Sequence, residues 1–147
     1  VLVSGVLLAG SAAACNVPAG AAGAKAGLLA QINAERAAQG LAAYRPSEAL
    51  DRAARTQACD MAIHGYFAHE RLGAPQLGAR VKASGYALRA VAENIAYTSQ
   101  LDPGTVGRLW KQSPPHRAAM MDPGHRDIGL ALAAGGGRIY WVMVVAR

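Results

Sequence analysis

Four histidines, His64, His69, His116 and His125, and one carboxylate set among aliphatic residues, Glu93, are the side chains best suited to acid–base or metal chemistry in this 147-residue chain. Glu93 lies in "VAENIAY", where Val91, Glu93 and Ile95 alternate with Ala92, Asn94 and Ala96. An extended segment here puts the carboxylate on the face of two aliphatic side chains. Burying that charge is costly without a cation or donors, so its partners are the first functional question. His116 stands third in a helix opened by Ser113 and Pro114. There the positive end of the helix dipole disfavours the imidazolium, and a neutral ring suits a metal ligand or a general base. The position equally suits a histidine that only hydrogen-bonds at a helix start. In "MAIHGYFAHE", His64 and His69 are five residues apart across a helix end and a glycine. That is not the spacing of two ligands on one helical face. Glu70 points away from its neighbour His69 if the segment is extended. A local metal motif is therefore not expected, and any site must be assembled from distant parts of the chain.

The elements that must bring these residues together read as follows. Residues 28–39 place Leu28, Leu29 and Ile32 on one helical face, with Gly40 at the stop position. Ser47 caps a second helix with the stripe Leu50, Ala53, Ala54, Ala58 and Met61, which ends near His64 and Gly65. A third helix is predicted over residues 75–84. Asp102 with Pro103 starts a fourth, carrying Val106, Leu109 and Trp110, and Ser113 with Pro114 starts a fifth that runs to about Met121 before a bend at "DPG". Two strands follow. "DIGLALA" sets Ile128, Leu130 and Leu132 against Gly129 and Ala131, while "IYWVMVVA" is apolar on both faces and reads as central. The pattern predicts an α+β fold, a small sheet covered by helices.

Composition narrows the partners. The formal charge is +6, but the basic residues are scattered and no aromatics interleave with them, so nucleic-acid binding is not expected. Much of the 52% hydrophobic content is alanine, which points to closely packed helices. Residues 1–14 are apolar, then small, uncharged and too short to span a bilayer, which takes ~20 apolar residues. They look like the h-region and cleavage zone of an export signal. Cys15 follows in a position that resembles a bacterial lipoprotein box, so lipidation at Cys15 and membrane association through it are expected. The alternative is a disulfide with Cys59, which an acylated Cys15 cannot form. Residues 15–27 read as a flexible Gly/Ala tether, and residues 28–147 as one domain.

Taken in order, "LLAQINAERAAQGL", "AARTQACDMAIHGYFAHE", "VKASGYALRAVAENIAY", "LWKQSPPHRAAMMDPGHRDIGLAL" and "YWVMVV" resemble the bacterial single-domain branch of the CAP superfamily of cysteine-rich secretory, antigen five and pathogenesis-related proteins. The resemblance spans about Leu28 to Val145. It implies a three-layer α-β-α sandwich with a small antiparallel sheet and a central cleft lined by two histidines and two glutamates. By motif these carry over to His69, Glu93 and His116. The second glutamate has no counterpart, since no glutamate follows Glu93. The resemblance also implies that His69 and His116 hold a divalent metal. With Glu93 they make a plausible Zn2+ set with an open fourth position.

The expected function is that of an exported monomer, extracellular, periplasmic or anchored by lipid, which binds a lipid, a sterol-like molecule or a cell-envelope component. Two alternatives stand beside it. One is a hydrolase in which His69 or His116 is the base or metal ligand and Glu93 positions water; Ser113 is better used there as a helix cap than as a nucleophile. The other is an extracellular scaffold for a protein partner. No catalytic residue is assigned, and an enzyme is the less expected outcome.

Overall fold

The computed structural model describes residues 14–147, so the expected export segment lies, except for Ala14, outside the described residues. The elements run α1 (Ala21–Ala38), β1 (Arg45–Pro46), α2 (Glu48–His64), α3 (Leu77–Ala83), β2 (Val91–Thr98), α4 (Pro103–Gln112), α5 (Pro114–Met120), β3 (Asp127–Gly135) and β4 (Arg138–Ala146). The strands form one sheet in the order β1-β3-β4-β2. β4 is antiparallel to both β3 and β2, and the short β1 runs parallel to β3.

Helices cover both faces, which gives the expected α-β-α sandwich. On one face Tyr140, Val142, Val144 and Ala146 of β4 pack with Leu50, Ala54, Ala58 and Met61 of α2 and Val81 of α3. On the other, Trp141, Met143 and Val145 pack with Leu28 and Ile32 of α1, Val106 and Trp110 of α4, and Met120 of α5. This is why β4 is apolar from Ile139 to Ala146: a central strand is buried on both sides. The alanine stripe of α2 lets its backbone rest on the sheet. A methyl group at Gly129 would lie 2.1 Å from the carbonyl carbon of Leu50, and one at Gly135 would lie 2.3 Å from the Ala62 carbonyl oxygen. Both contacts are with backbone that has nowhere to move, so only glycine fits.

Two expectations for the N-terminal region are corrected. Helix α1 begins at Ala21, not at residue 28, so most of the expected tether is helical. Alanine is the strongest helix former, and Ala21 and Ala24 extend the buried face of Leu28 and Ile32 by nearly two turns. Before the helix, Asn16 bridges to Ala134 of β3, whose N–H donates to the Asn16 carbonyl at 2.7 Å. Cys15 is joined to Cys59 of α2 with a Cα–Cα separation of 5.3 Å. The bond consumes the sulfur that lipidation at Cys15 would need, so the disulfide replaces the expected acylation. Cys59 is thereby covered by the N-terminal segment.

Candidate functional site

The site is built around β2, an edge strand. Successive residues of a strand point to opposite faces. Glu93 therefore turns toward α3 and the loop after α2, while Asn94 turns toward α5, and each residue holds one wall of a cleft of about 380 Å³.

On the first wall the Glu93 side chain is 1% exposed. Its Oε2 accepts from Nη2 of Arg80, an equally buried side chain of α3. Arg80 also donates Nη1 to the Pro75 carbonyl at 3.1 Å. The other carboxylate oxygen, Oε1, lies 2.9 Å from Nδ1 of His69. A carboxylate oxygen only accepts, so Nδ1 carries the hydrogen and the neutral ring keeps a lone pair on Nε2. His69 itself is half exposed. The loop that carries it leaves α2 at Gly65, whose φ of 65° is left-handed, and then folds back onto the helix it left. Tyr66 donates its hydroxyl to Asp60, Arg71 holds both Asp60 oxygens at 2.8 and 3.0 Å, and Gln57 donates to the Ala68 carbonyl at 2.7 Å. The Arg71 hydrogen bonds hold the Asp60 carboxyl below its ordinary range. His64 sits 3.8 Å from Asp60 and belongs to this anchor, away from the cleft.

On the second wall, Asn94 donates its side-chain N–H to the carbonyl of His116 at 2.9 Å. His116 is third in α5, as expected, and burial first, then the nearby His69, push its ring pKa below the ordinary 6.5. Burial thus favours the same neutral ring anticipated from the helix dipole. Beyond α5, the buried Arg36 of α1 stacks 3.6 Å over the Tyr44 ring and donates Nη1 to the carbonyls of Met120 and Asp122 at 2.9 and 3.0 Å. This fixes the turn after α5 and puts the Asp122 side chain on the cleft wall. One Asp122 oxygen accepts from the Gly124 N–H at 2.6 Å. The other lies 3.5 Å from Nδ1 of His125, too poorly aligned for a hydrogen bond, so that nitrogen is buried without a partner among the described residues.

The structure thus brings His69, Glu93 and His116 together and leaves His64 and Glu70 out. Two residues of the site escaped sequence reading. Arg80 carried one signal: with Leu77, Val81 and Ser84 it occupies the inward face of α3 at helical spacing, a place where a cation needs a partner. Asp122 carried none, because only the Arg36 contacts turn it toward the cleft.

The donor set does not fit the expected zinc site. Both Glu93 oxygens are already taken, one by a guanidinium that a dication would have to face. Among the described residues no three His, Cys, Asp or Glu side chains are grouped to hold a metal. Nor does a nucleophile present itself. The cleft is lined by His69, Ala92, Glu93, Asn94, Pro115, His116, Ala118, Ala119 and Asp122, with no hydroxyl or thiol among them. Ser113 occupies the N-cap position of α5, but its side chain makes no capping hydrogen bond, contrary to expectation.

A family model described as the cysteine-rich secretory protein family, CAP, matches residues 29–145. Protein YkwD of Bacillus subtilis (strain 168) is 33% identical over 107 residues, which is 71% of this chain and 40% of that protein. An extracellular protein containing a SCP domain from Bacillus anthracis superposes with a TM-score of 0.76 at 20% identity, over 86% of this chain and 41% of that one. An outer surface protein of Borrelia burgdorferi gives a TM-score of 0.77 at 17% identity, over 85% of this chain and 92% of that one. The chain thus spans less than half the length of the two Bacillus proteins, and the likeness to the solved structures speaks to the fold.

Proposed function

Because the chain belongs to the cysteine-rich secretory protein, or CAP, family, we propose that it is an exported module that binds a cell-envelope ligand in the cleft between His69 and His116. Export is supported by the Cys15–Cys59 disulfide, which persists in oxidising compartments, and by similar proteins described as extracellular or outer surface.

The observation that carries binding over catalysis is the state of Glu93. A general base or water-positioning carboxylate needs a free oxygen at the reacting centre, whereas Glu93 is buried with both oxygens engaged. What it does supply is order: it fixes one ring nitrogen of His69 and leaves the other facing the cleft as an acceptor. Pre-ordered acceptors over a small apolar floor of Ala92, Pro115 and Ala118 suit recognition of a polar ligand. The ring signals of His69 and His116, followed by NMR during addition of envelope lipid vesicles, cholesterol and soluble peptidoglycan fragments, are the test. At least one of these is expected to move both rings, and no movement with any of them sinks the proposal.

One observation favours hydrolysis as a second reading. A histidine whose Nδ1–H is held by a carboxylate has the orientation of a general base. If the His69→Ala and His116→Ala variants retain whatever hydrolytic activity the purified protein shows, that reading fails.

A further inference from the structure

We infer that the cleft selects a ligand bearing a positively charged amine beside hydroxyl groups, an amino sugar, with Asp122 as the residue that receives the ammonium. The inference rests on the cleft being the binding site, and it concerns which charge the cleft accepts.

The polar groups that line the cleft include one carboxylate free of an ion pair, that of Asp122, and two imidazoles, each with an accepting nitrogen when neutral. The guanidinium nearest to the cleft, that of Arg80, is 1% exposed and turned onto Glu93, so that ion pair presents no net charge. His69 offers Nε2, and the Asn94 amide N–H is used on the His116 carbonyl. Among the described residues no lysine, arginine, serine, threonine or tyrosine lines the cavity. A phosphate, sulfate or carboxylate would find no cation there.

Asp122 is the one cleft carboxylate that lacks a matching cation among the described residues. Its side chain is 40% exposed. The charged groups around it are directed elsewhere. Arg36 donates to backbone carbonyls, including that of Asp122 itself, and the Arg147 guanidinium, although it lies near the same turn at Gly124, makes no ion pair with the Asp122 carboxylate. His125, the nearest titratable group, is held below the ordinary 6.5 by burial, so its ring is neutral at neutral pH and leaves the Asp122 charge in place. Its side chain is 9% exposed, and its Nδ1 lies 3.5 Å from the second Asp122 oxygen without a hydrogen bond to it. A carboxylate so placed gains a charge-assisted hydrogen bond from an ammonium and a weaker one from a neutral hydroxyl.

The contrast with the rest of the surface is chemical. The chain is strongly basic, and a cavity of about 350 Å³ between α1, α2 and β3 carries Lys25, Arg52 and Arg55 against Glu48 and Asp51, a surplus of cations. The cleft thus reverses the sign of the molecule, which a site for an anionic ligand has no reason to do.

The test titrates the described domain with glucosamine, N-acetylglucosamine, glucose and glucose 6-phosphate, following the ring signals of His69 and His116 by NMR. Glucosamine is expected to move both rings and to bind about tenfold more tightly than its acetylated or neutral counterparts, the worth of one charge-assisted hydrogen bond at the weak end of its range. Asp122→Asn, whose amide oxygen still accepts from Gly124, is expected to erase the preference. Should that variant fail to fold, the wild type decides by salt: glucosamine affinity is expected to fall as sodium chloride rises, and glucose affinity to stay level. Equal binding of the four sugars, tighter binding of the phosphate, a preference that survives Asp122→Asn, or salt-independent glucosamine binding overturns the inference and leaves the cleft as a binding site. Silence of both rings with all four sugars, while an envelope ligand moves them, does the same. Silence with every probe removes the inference and the binding proposal together.

Discussion

The two walls of the cleft treat a carboxylate in opposite ways. Glu93 is sealed from water and matched by the guanidinium of Arg80, whereas Asp122 stays partly in water with no cation on it among the described residues. A buried, paired charge is fixed by the fold and fixes it in turn, because stranding either partner is penalised heavily. An exposed, unpaired charge costs the fold little and remains available to something that arrives from solution. The same side-chain chemistry thus becomes a support on one wall and a contact on the other, and perturbing each wall should show it.

The largest expected effect is on the buried wall. Glu93→Gln leaves Arg80 uncompensated and is expected to lower unfolding stability by about 3–5 kcal/mol in urea titrations. A double variant, Arg80→Met with Glu93→Leu, should recover most of that loss; failure to recover would mean that Glu93 matters for a reason other than its charge. Removal of the Cys15–Cys59 bond, by Cys15→Ser with Cys59→Ser, follows with a loss of about 2–5 kcal/mol. Cys59 shares a cavity with Arg80 and precedes Asp60, so the ring signal of His116 should stay where it is, and a shift of the His69 signal would show that the bond also steadies the buried wall. A smaller effect comes from acid. His116 and His125 both have folded-state pKa values below the 6.5 of the free ring, so the unfolded chain takes up their protons first. Their contribution is complete above 6.5 and is lost as pH falls through the folded values, so urea midpoints should drop as the pH is taken down through 6.5 and below. His116→Asn should flatten that slope, and an unchanged slope would place the acid sensitivity on His125 alone. The smallest effect is the most telling: Asp122→Asn should change stability by no more than about 0.5 kcal/mol. A large loss there would make Asp122 a second support and erase the difference between the walls.

The sequence announced these walls unequally. Glu93 was legible because a charge between Val91 and Ile95 in an alternating segment demands a partner, and its motif placed His69 and His116 beside it. The partner that proved decisive was only faintly legible. Arg80 shares a helical face with Leu77 and Val81, but the helix is short and its packing onto β2 depends on a long loop, so the spacing does not say which carboxylate the cation meets. Asp122 is harder still, because its direction is set by Arg36, far away in sequence, reaching across to hold the turn. The layered fold was readable because period-two and period-3.6 patterns are local. The start of α1 was misread for the same reason: glycines among alanines imitate a tether until the sheet below is there to receive Ala21 and Ala24. Cys15 stood between two fates that exclude one another, and only the position of α2 beside the N-terminal segment decides between them.

The disulfide also governs how this protein behaves toward copies of itself. The outer edge of β3 is covered in pieces: β1 pairs with Asp127 and Ile128, the Asp51 carboxylate takes the Leu130 N–H at 2.8 Å, and Asn16 takes the N–H of Ala134. The last of these covers hangs on the residue beside Cys15. In an oxidising medium the strand edge is closed to other chains, and in a reducing one the Asn16 clasp has only its own hydrogen bond to keep it seated. An uncovered strand edge is a template for intermolecular pairing. Thiol reductants should therefore make solutions of this domain scatter light before they unfold it, and the protein's colloidal lifetime becomes a function of the redox state of the compartment that holds it.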